Sequence, residues 1–463
     1  MHLLFSLLSI SAVQTTVQRL RMKQNFPILS ASLAVALCLF APVPGLSQPS
    51  TPAQSASPAQ PASALTWSQV KARFEAANPA LRADALGVEE MKAAEITAFL
   101  RPNPTASITM DQLYPFGSHY DPNIFRTRYR PLTNALTTGS LSYLYEREHK
   151  RNLRLQSAKE GTQIAGSQHE DLERNLLFNL RAAFIDTLQA KAVLDLAKAD
   201  LAYYDNIIQI SRDRFRAGDM AKIDLDRIEL FRVQYEMEIQ TAIVNLRTAK
   251  IQLLQLLNDR TPVEQFDLTG EFDFADNLKP LEEFRQIALD SRPDLRAALE
   301  SVQQAQTNHK LALANGSTDP TFSIDSGANP ELDPYVGFNV SIPLRIFDHN
   351  QGEKKRTQID IGRTRELSDA VRAGVFSDVD SAYTQTESSL ALLRPYKAQY
   401  KEQARRVRDT VTYSWEHGGA SLMDFLNAQS DYRAVQLAYL QLVGSYLTSA
   451  AQLNLAVGRE VLQ

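Results

Sequence analysis

Two short stretches set glycines, carboxylates and a hydroxyl in the same order. Residues 215–225 read FRAGDMAKIDL and residues 415–425 read WEHGGASLMDF. Gly218 is answered by Gly418 and Asp224 by Asp424, each two hundred residues later. Glycine suits a corner because it takes positive φ where a helix must stop and reverse. Asp219 and Ser421 carry side-chain oxygens able to cap the returning helices. The chemistry on offer is helix capping and a pair of carboxylates. Bond-breaking machinery is missing: there is no Gly-x-Gly-x-x-Gly, no phosphate loop, no His-Glu-x-x-His and no Gly-x-Ser-x-Gly. Histidines 119, 149, 169, 309, 349 and 417 are scattered. His149 and His349 each lie beside an acid at matching places, which repetition of one unit explains without a metal. Paired acids such as Glu89 and Glu90 read as solvated helix faces. The expectation is a protein that is not an enzyme, with no metal site and no cofactor.

The elements that position these corners are written twice. Residues 78–108 align with 292–324: Pro79 matches Pro293, Leu81-Arg82-Ala83 matches Leu295-Arg296-Ala297, and Pro104-Thr105 matches Pro320-Thr321. Each half runs helix, strand pair, very long helix, glycine corner, helix, as a duplicated unit does. From about residue 148 to 216 there is no proline, and apolar residues recur at helical spacing (Leu177, Leu180, Phe184, Leu188). At 1.5 Å per residue this is roughly 100 Å of helix. A second such helix is expected from about 353 to 416, with Leu393, Tyr396 and Tyr400 on one stripe. Return helices are expected over 223–257 and 422–457. Lengths of this order imply coiled-coil-like packing.

Short strands accompany the helices. TASITMD (105–111), SLSYLY near 140, TFSID (321–325) and VGFNVSI (336–342) alternate apolar with polar residues. An ordinary half-buried sheet has this period, and so does the wall of a transmembrane β-barrel. Four strands cannot close a barrel, and an open sheet in lipid would leave its edge groups unsatisfied. Three copies would supply twelve strands. The aromatic-rich stretch 114–132 is expected to be an exposed loop.

The 463-residue chain carries 49 Lys and Arg against 53 Asp and Glu, a formal net charge of −4. No block of like charge is long enough for a nucleic-acid footprint. After Met22 and Lys23 comes an apolar run of about fifteen residues ending in small residues and prolines, the pattern of a signal peptide. The expected organisation is a signal region over 1–47, with the start at Met22, and a Pro/Ser/Ala-rich arm over 48–64. A first repeat then spans 65–258, a linker 259–280 and a second repeat 281–463. The single Cys38 falls in the signal core, and Leu37 before it suits a lipoprotein poorly. The exported chain then has no thiol for a disulfide or a thiolate metal site.

The duplicated unit, Arg292-Pro293-Asp294-Leu295 opening the second half, SIPL at 341–344 and the twin Gly-x5-Asp corners together resemble the TolC-type outer-membrane efflux proteins. The resemblance covers essentially the whole exported chain. It implies a mainly α fold with membrane β: a homotrimer with a twelve-stranded β-barrel in outer-membrane lipid and an α-helical periplasmic tunnel. The partners implied are a periplasmic adaptor (membrane fusion protein) and an inner-membrane efflux transporter, with no nucleic acid. By the same resemblance, Arg216, Gly218, Asp219, Gly418, Gly419 and Ser421 form tips that meet the adaptor. Asp224 and Asp424 belong to a periplasmic gate, with Asp424 in a ring of three carboxylates. The family's arginine latch position is Ala420 here and its second acidic position is Asn427, so closure is expected to rely on packing of Leu422, Met423 and Phe425. Lys150, Arg151 and Arg154, after the strand at 140–145, resemble the strand–helix junction of the CzcC-like heavy-metal-resistance branch. That suggests metal cations or small toxic compounds as cargo. The competing class is a soluble periplasmic coiled-coil adaptor without a pore.

Overall fold

The structure, a computed structural model, describes residues 64–111, 118–121, 126–129, 136–329 and 332–462. The signal region and the arm up to residue 63 lie outside these residues. Helices α1 (Trp67–Ala77) and α2 (Pro79–Phe99) lead into strand β1 (Thr105–Asp111). The stretch expected as a loop contains a short ladder, β2 (Ser118–Asp121) with β3 (Arg126–Tyr129); its remaining residues up to 132 lie outside the described ones. Strand β4 (Leu136–Leu144) then hands over to α3 (Lys150–Ala217), and α4 (Lys222–Leu256) returns. The second half repeats the order with α5 (Leu281–Ser291), α6 (Pro293–Asn315), β5 (Thr321–Asn329), β6 (Leu332–Ser341), α7 (Gln351–Pro395), α8 (Lys401–Glu416) and α9 (Leu422–Val457).

The halves match in detail. Asn78 caps α2 by accepting from the Leu81 amide, and Pro79 takes the first helical position, where a missing N–H costs nothing. Pro293 repeats this on α6. Both long helices start after a residue in the left-handed region, His149 (φ 55°) and Asn350 (φ 61°). The partner of His149 is therefore Asn350, one residue past the expected His349. Polar side chains such as Asn tolerate this conformation best. Arg292 is buried and donates to Asp294, to Asp378 on α7 and to the Ala456 carbonyl at the end of α9. The Arg-Pro-Asp-Leu motif thereby ties three helices. Burial alone would push the Asp294 carboxyl up, yet the Arg292 guanidinium holds it below its ordinary value.

One departure has a local cause. The second long helix is not continuous: Pro395 lacks an N–H for the ladder, and residues Tyr396–Tyr400 form a π turn before α8. The extra residue in the turn shifts the phase of the stripe. Leu393 is buried and Tyr396 packs beside the core, while Tyr400 swings out to solvent.

Each half has its own core. Phe74, Leu180, Phe184, Leu253 and Leu268 form one cluster; Phe284, Val375, Val379, Val443 and Tyr446 form the other. Burying each such phenylalanine stabilises by about 1.5–3 kcal/mol. The seam between α3 and α6 is polar instead. There Glu160 accepts on one oxygen from Gln156, Gln303 and Thr307, and Ser157 donates to Asn308.

The four-stranded sheet has the order β1-β4-β5-β6, all antiparallel. Its register aligns the sequence alternation across strands. Ala106, Leu141, Ile324 and Phe338 form one row, and Ser107, Ser140, Asp325 and Gly337 the next. The apolar rows are uncovered, Ile108 being 83% and Phe338 81% exposed, and the polar positions of β1 are exposed as well. No helix covers this face, and both edge strands, β1 and β6, lack a second partner among the described residues. Among those residues no helix is long and apolar enough to cross a membrane.

Candidate functional site

The twin corners are helical-hairpin tips closed by one shared device. Gly218 has φ 85° and Gly418 φ 79°, the left-handed values that end a helix. The Asp219 amide donates to the Arg214 carbonyl at 2.9 Å, and the Gly419 amide to the Ser414 carbonyl at 2.8 Å. These are the six-to-one bonds that satisfy helix-end carbonyls. Arg216, on the last turn of α3, is exposed and pairs with Asp213 at 2.9 Å.

The two returning helices start differently. Ser421 caps α9: its Oγ accepts from the Asp424 amide at 3.1 Å, while the Asp424 carboxylate accepts from the Ser421 amide and hydroxyl at 3.2 and 2.7 Å. This is a reciprocal capping box. Asp219 does not cap α4. The N-cap there is Ala221, the position equivalent to Ser421, and it has no side-chain acceptor. Asp219 lies two residues too early, and its backbone closes α3 instead. Asp224, half-buried, occupies the first turn of α4, where a negative charge suits the helix dipole. Asp424 and Asn427 are exposed on α9.

Between the tips lies an aromatic cluster. Trp415 stacks on Phe425 with ring centroids 4.4 Å apart. Tyr204, Ile207, Ile228 and Tyr235 complete it, with Ala420, Leu422 and Met220 packed against its edge. Met423, expected in the packing, points to solvent instead, because it lies one residue off the buried face of Leu422 and Phe425. Arg214 spans from one hairpin to the other. Its Nη1 donates to the Trp415 carbonyl at 3.1 Å, and its guanidinium sits 5.2 Å from the centroid of the Trp415 ring. Neither Arg214 nor Trp415 belongs to a local sequence motif that marks it as a bridge. The available signal was the rarity of tryptophan, which occurs only twice in the chain.

Above the tips a second charged group joins the hairpins. Arg433 of α9 pairs with Glu238 of α4 at 3.2 Å and lies 4.9 Å from the centroid of the Tyr235 ring. Arg408 of α8 lies over Tyr203 and Tyr432. Asp200 of α3 has a buried, unpartnered carboxylate oxygen among the described residues. Burial pushes its carboxyl up to about 6, opposed by the charge of Arg433. Tyr235 is pushed up to about 12, again by burial.

The strand–helix junction residues are structural ties. Lys150 is buried; its Nζ donates to Asp319 at 2.7 Å and to the Ser317 carbonyl at 3.0 Å, fastening the first half to the second. Arg154 chelates Glu146 and reaches the carbonyls of Ala98 and Leu100 at the end of α2. Arg151 lies over the Phe99 ring at 4.3 Å. Among the described residues no group of three or more His, Cys, Asp or Glu is placed to hold a metal ion.

Comparison with known proteins places this architecture. Residues 284–459 match the family model "Outer membrane efflux protein". The chain is 24% identical over 359 residues to outer membrane efflux protein BepC of Brucella suis, covering 71% of this chain and 74% of that protein. It is 22% identical over 325 residues to cobalt-zinc-cadmium resistance protein CzcC of Cupriavidus metallidurans, covering 70% and 77%. The crystal structure of CusC, described for its folding and transmembrane channel formation, superposes with TM-score 0.69 at 15% identity over 85% of this chain and 92% of that one. The resemblance read from the sequence is borne out: the matched family and BepC are outer membrane efflux proteins, and the fold is that of CusC. The matched family consists of channel proteins rather than enzymes.

Proposed function

We propose that this chain, an outer membrane efflux protein by its second half and its fold, is the outer-membrane channel of a tripartite efflux system. Three copies form the channel, which passively conducts what an inner-membrane transporter and a periplasmic adaptor deliver. The observation that carries this reading is the uncovered two-faced sheet. Its apolar rows are uncovered, its polar rows lie on the opposite face, and both edges lack a second partner among the described residues. In water such a surface aggregates; in lipid, closed by neighbours into one wall, it is satisfied. A soluble adaptor would have no use for it.

A second feature supports lateral assembly. On α4, Ile223, Leu230, Met237, Val244 and Ile251 recur every seventh residue, and all are exposed. A heptad seam of that length is the surface a neighbouring long helix packs on. The hairpin tips, Arg216, Gly218, Asp219, Gly418, Gly419 and Ser421, then face the periplasm as a crown that meets the adaptor. Threefold symmetry gathers three Asp424 carboxylates at the mouth, where like charges concentrate cations. Ala420 removes the arginine latch of the family, and the Arg214–Trp415 bridge with the Phe425 stack holds each pair of tips instead. The likeness to CzcC favours metal cations as cargo; the junction residues Lys150, Arg151 and Arg154 carry no cargo themselves.

The test is electrical. Purified protein in planar bilayers should give trimer-sized channels that prefer cations. Asp424→Asn should reduce that preference, while Ser421→Ala, which weakens the same cap but keeps the charge, should not. A stable monomer in detergent that forms no channels would overturn the proposal. Equal cation preference in wild type and Asp424→Asn would remove the carboxylate ring from it.

A further inference from the structure

At the helix-side end of the sheet the uncovered apolar face does not stop with the strands. The register pairs Thr105 with Ser142 and Thr321 with Ser341, so the start of β1, the end of β4, the start of β5 and the end of β6 lie at one rim. From the end of β6 the chain continues as Ile342-Pro343-Leu344-Arg345-Ile346-Phe347 outside any helix or strand. Its apolar side chains are held out: Leu344 is 80% and Phe347 89% exposed. A bond from the Ile346 amide to the Leu344 carbonyl at 3.1 Å tightens the segment into a turn. Exposed apolar side chains outside a strand have no role in closing a barrel, but they do suit the boundary between acyl chains and headgroups.

The same rim is basic. Arg101 precedes β1, Arg147 follows β4, Arg345 follows β6 and Lys355 lies in the first turns of α7. None of these side chains has a hydrogen bond or carboxylate partner among the described residues, and all but the half-buried Arg345 are exposed. The nearby acids Asp319 and Glu146 are neutralised by Lys150 and Arg154. Glu148 and Asp348 remain exposed, leaving the cations in excess. At the opposite end of the four-stranded sheet Asp111 and Asp333 are exposed.

We infer that this rim is a binding surface for the phosphate headgroups of anionic phospholipids, with Leu344, Ile346 and Phe347 inserted beneath the headgroups and Arg147, Arg345 and Lys355 on the phosphates. Arginine matches phosphate with two parallel N–H bonds, and basic residues beside an apolar anchor are what hold a chain to an anionic surface. The inference rests on the reading of the sheet as a membrane wall and adds a lipid preference to it. The helix-side leaflet is the partner, and anionic lipid is an assembly factor for the channel.

The experiment uses the full chain, purified in detergent, stripped of lipid and heated with added phosphatidylglycerol, phosphatidylcholine or inorganic phosphate. Phosphatidylglycerol should raise the melting temperature more than phosphatidylcholine, and inorganic phosphate should not. The double variant Arg345→Gln/Lys355→Gln should lose at least half of the phosphatidylglycerol excess and keep the phosphatidylcholine effect. Phe347→Ser should reduce both. Arg101→Gln/Arg147→Gln serves as an independent pair if the first variant folds poorly. Equal shifts from the two lipids, an unchanged excess in both double variants, or full replacement by inorganic phosphate would each overturn the inference. Channel conductance of the same preparation separates the two claims: conductance without a phosphatidylglycerol excess sinks only the lipid site.

Discussion

Gly418 and Gly458 both end helices at positive φ, and the structure separates what a side chain would cost at each. At Gly418 (φ 79°) an added Cβ meets nothing within 4 Å, so the cost is conformational alone. Holding an L-residue in the left-handed region costs about 1–2 kcal/mol, and a β-branched residue suffers more. That energy falls on the bond from the Gly419 amide to the Ser414 carbonyl. Gly418→Ala should therefore raise the frayed fraction of the tip by about 5- to 30-fold, and Gly418→Val by more. At Gly458 (φ 90°) a Cβ would also sit 3.1 Å from the Ser291 carbonyl oxygen and 3.2 Å from the Arg292 Cα. Backbone cannot step aside as a side-chain end can, so overpacking adds about 1–3 kcal/mol. Hydrogen exchange and thermal melting distinguish the two. Gly418→Ala should speed exchange of the Gly419 amide, weaken adaptor capture and leave the melting temperature near wild type. Gly458→Ala should lower the melting temperature of the whole protein and leave tip exchange unchanged. An unchanged Gly419 amide in Gly418→Val, with full adaptor capture, would refute the assignment of the tips.

Arg214→Ala should loosen the two hairpins and raise channel conductance in planar bilayers; Trp415→Ala, which also leaves a cavity beside Phe425, should do so more strongly and cost about 3–5 kcal/mol of local stability. The Asp200 carboxyl titrates at about 6 in the fold, above its ordinary 3.8. The native state thus holds this proton longer than the unfolded chain, and stability is lost as pH rises from about 4 through 6. Asp200→Asn should accordingly stabilise the protein at pH 7.5 and not at pH 4, read as the difference in melting temperature; equal melting at both would place the carboxylate in water.

Periodicity determined much of this protein before any contact was known. A repeat of 3.6 in Leu177, Leu180, Phe184 and Leu188, uninterrupted by proline, commits the chain to one long helix, and positive-φ glycines with similar flanks commit it to two tips. Alternation along TFSID and VGFNVSI marks two chemically distinct faces. What alternation cannot say is whether the chain covers either face. That was decided by tertiary structure: the register stacks Leu141, Ile324 and Phe338 in one row, and no helix lies over them. The tips divide in the same way. Ser421 and Asp424 are three residues apart, so their capping box is local and legible. Arg214 and Trp415 are two hundred residues apart, and nothing near either one names the other. They meet because α3 and the run from α7 through α8 have comparable lengths and both pack on α9, which only the folded chain specifies. The burial of Asp200 likewise needs α4 and α9 to be in place on either side of α3. Local chemistry writes the elements, and the packing of distant elements decides which of their side chains are held dry, paired or left uncovered.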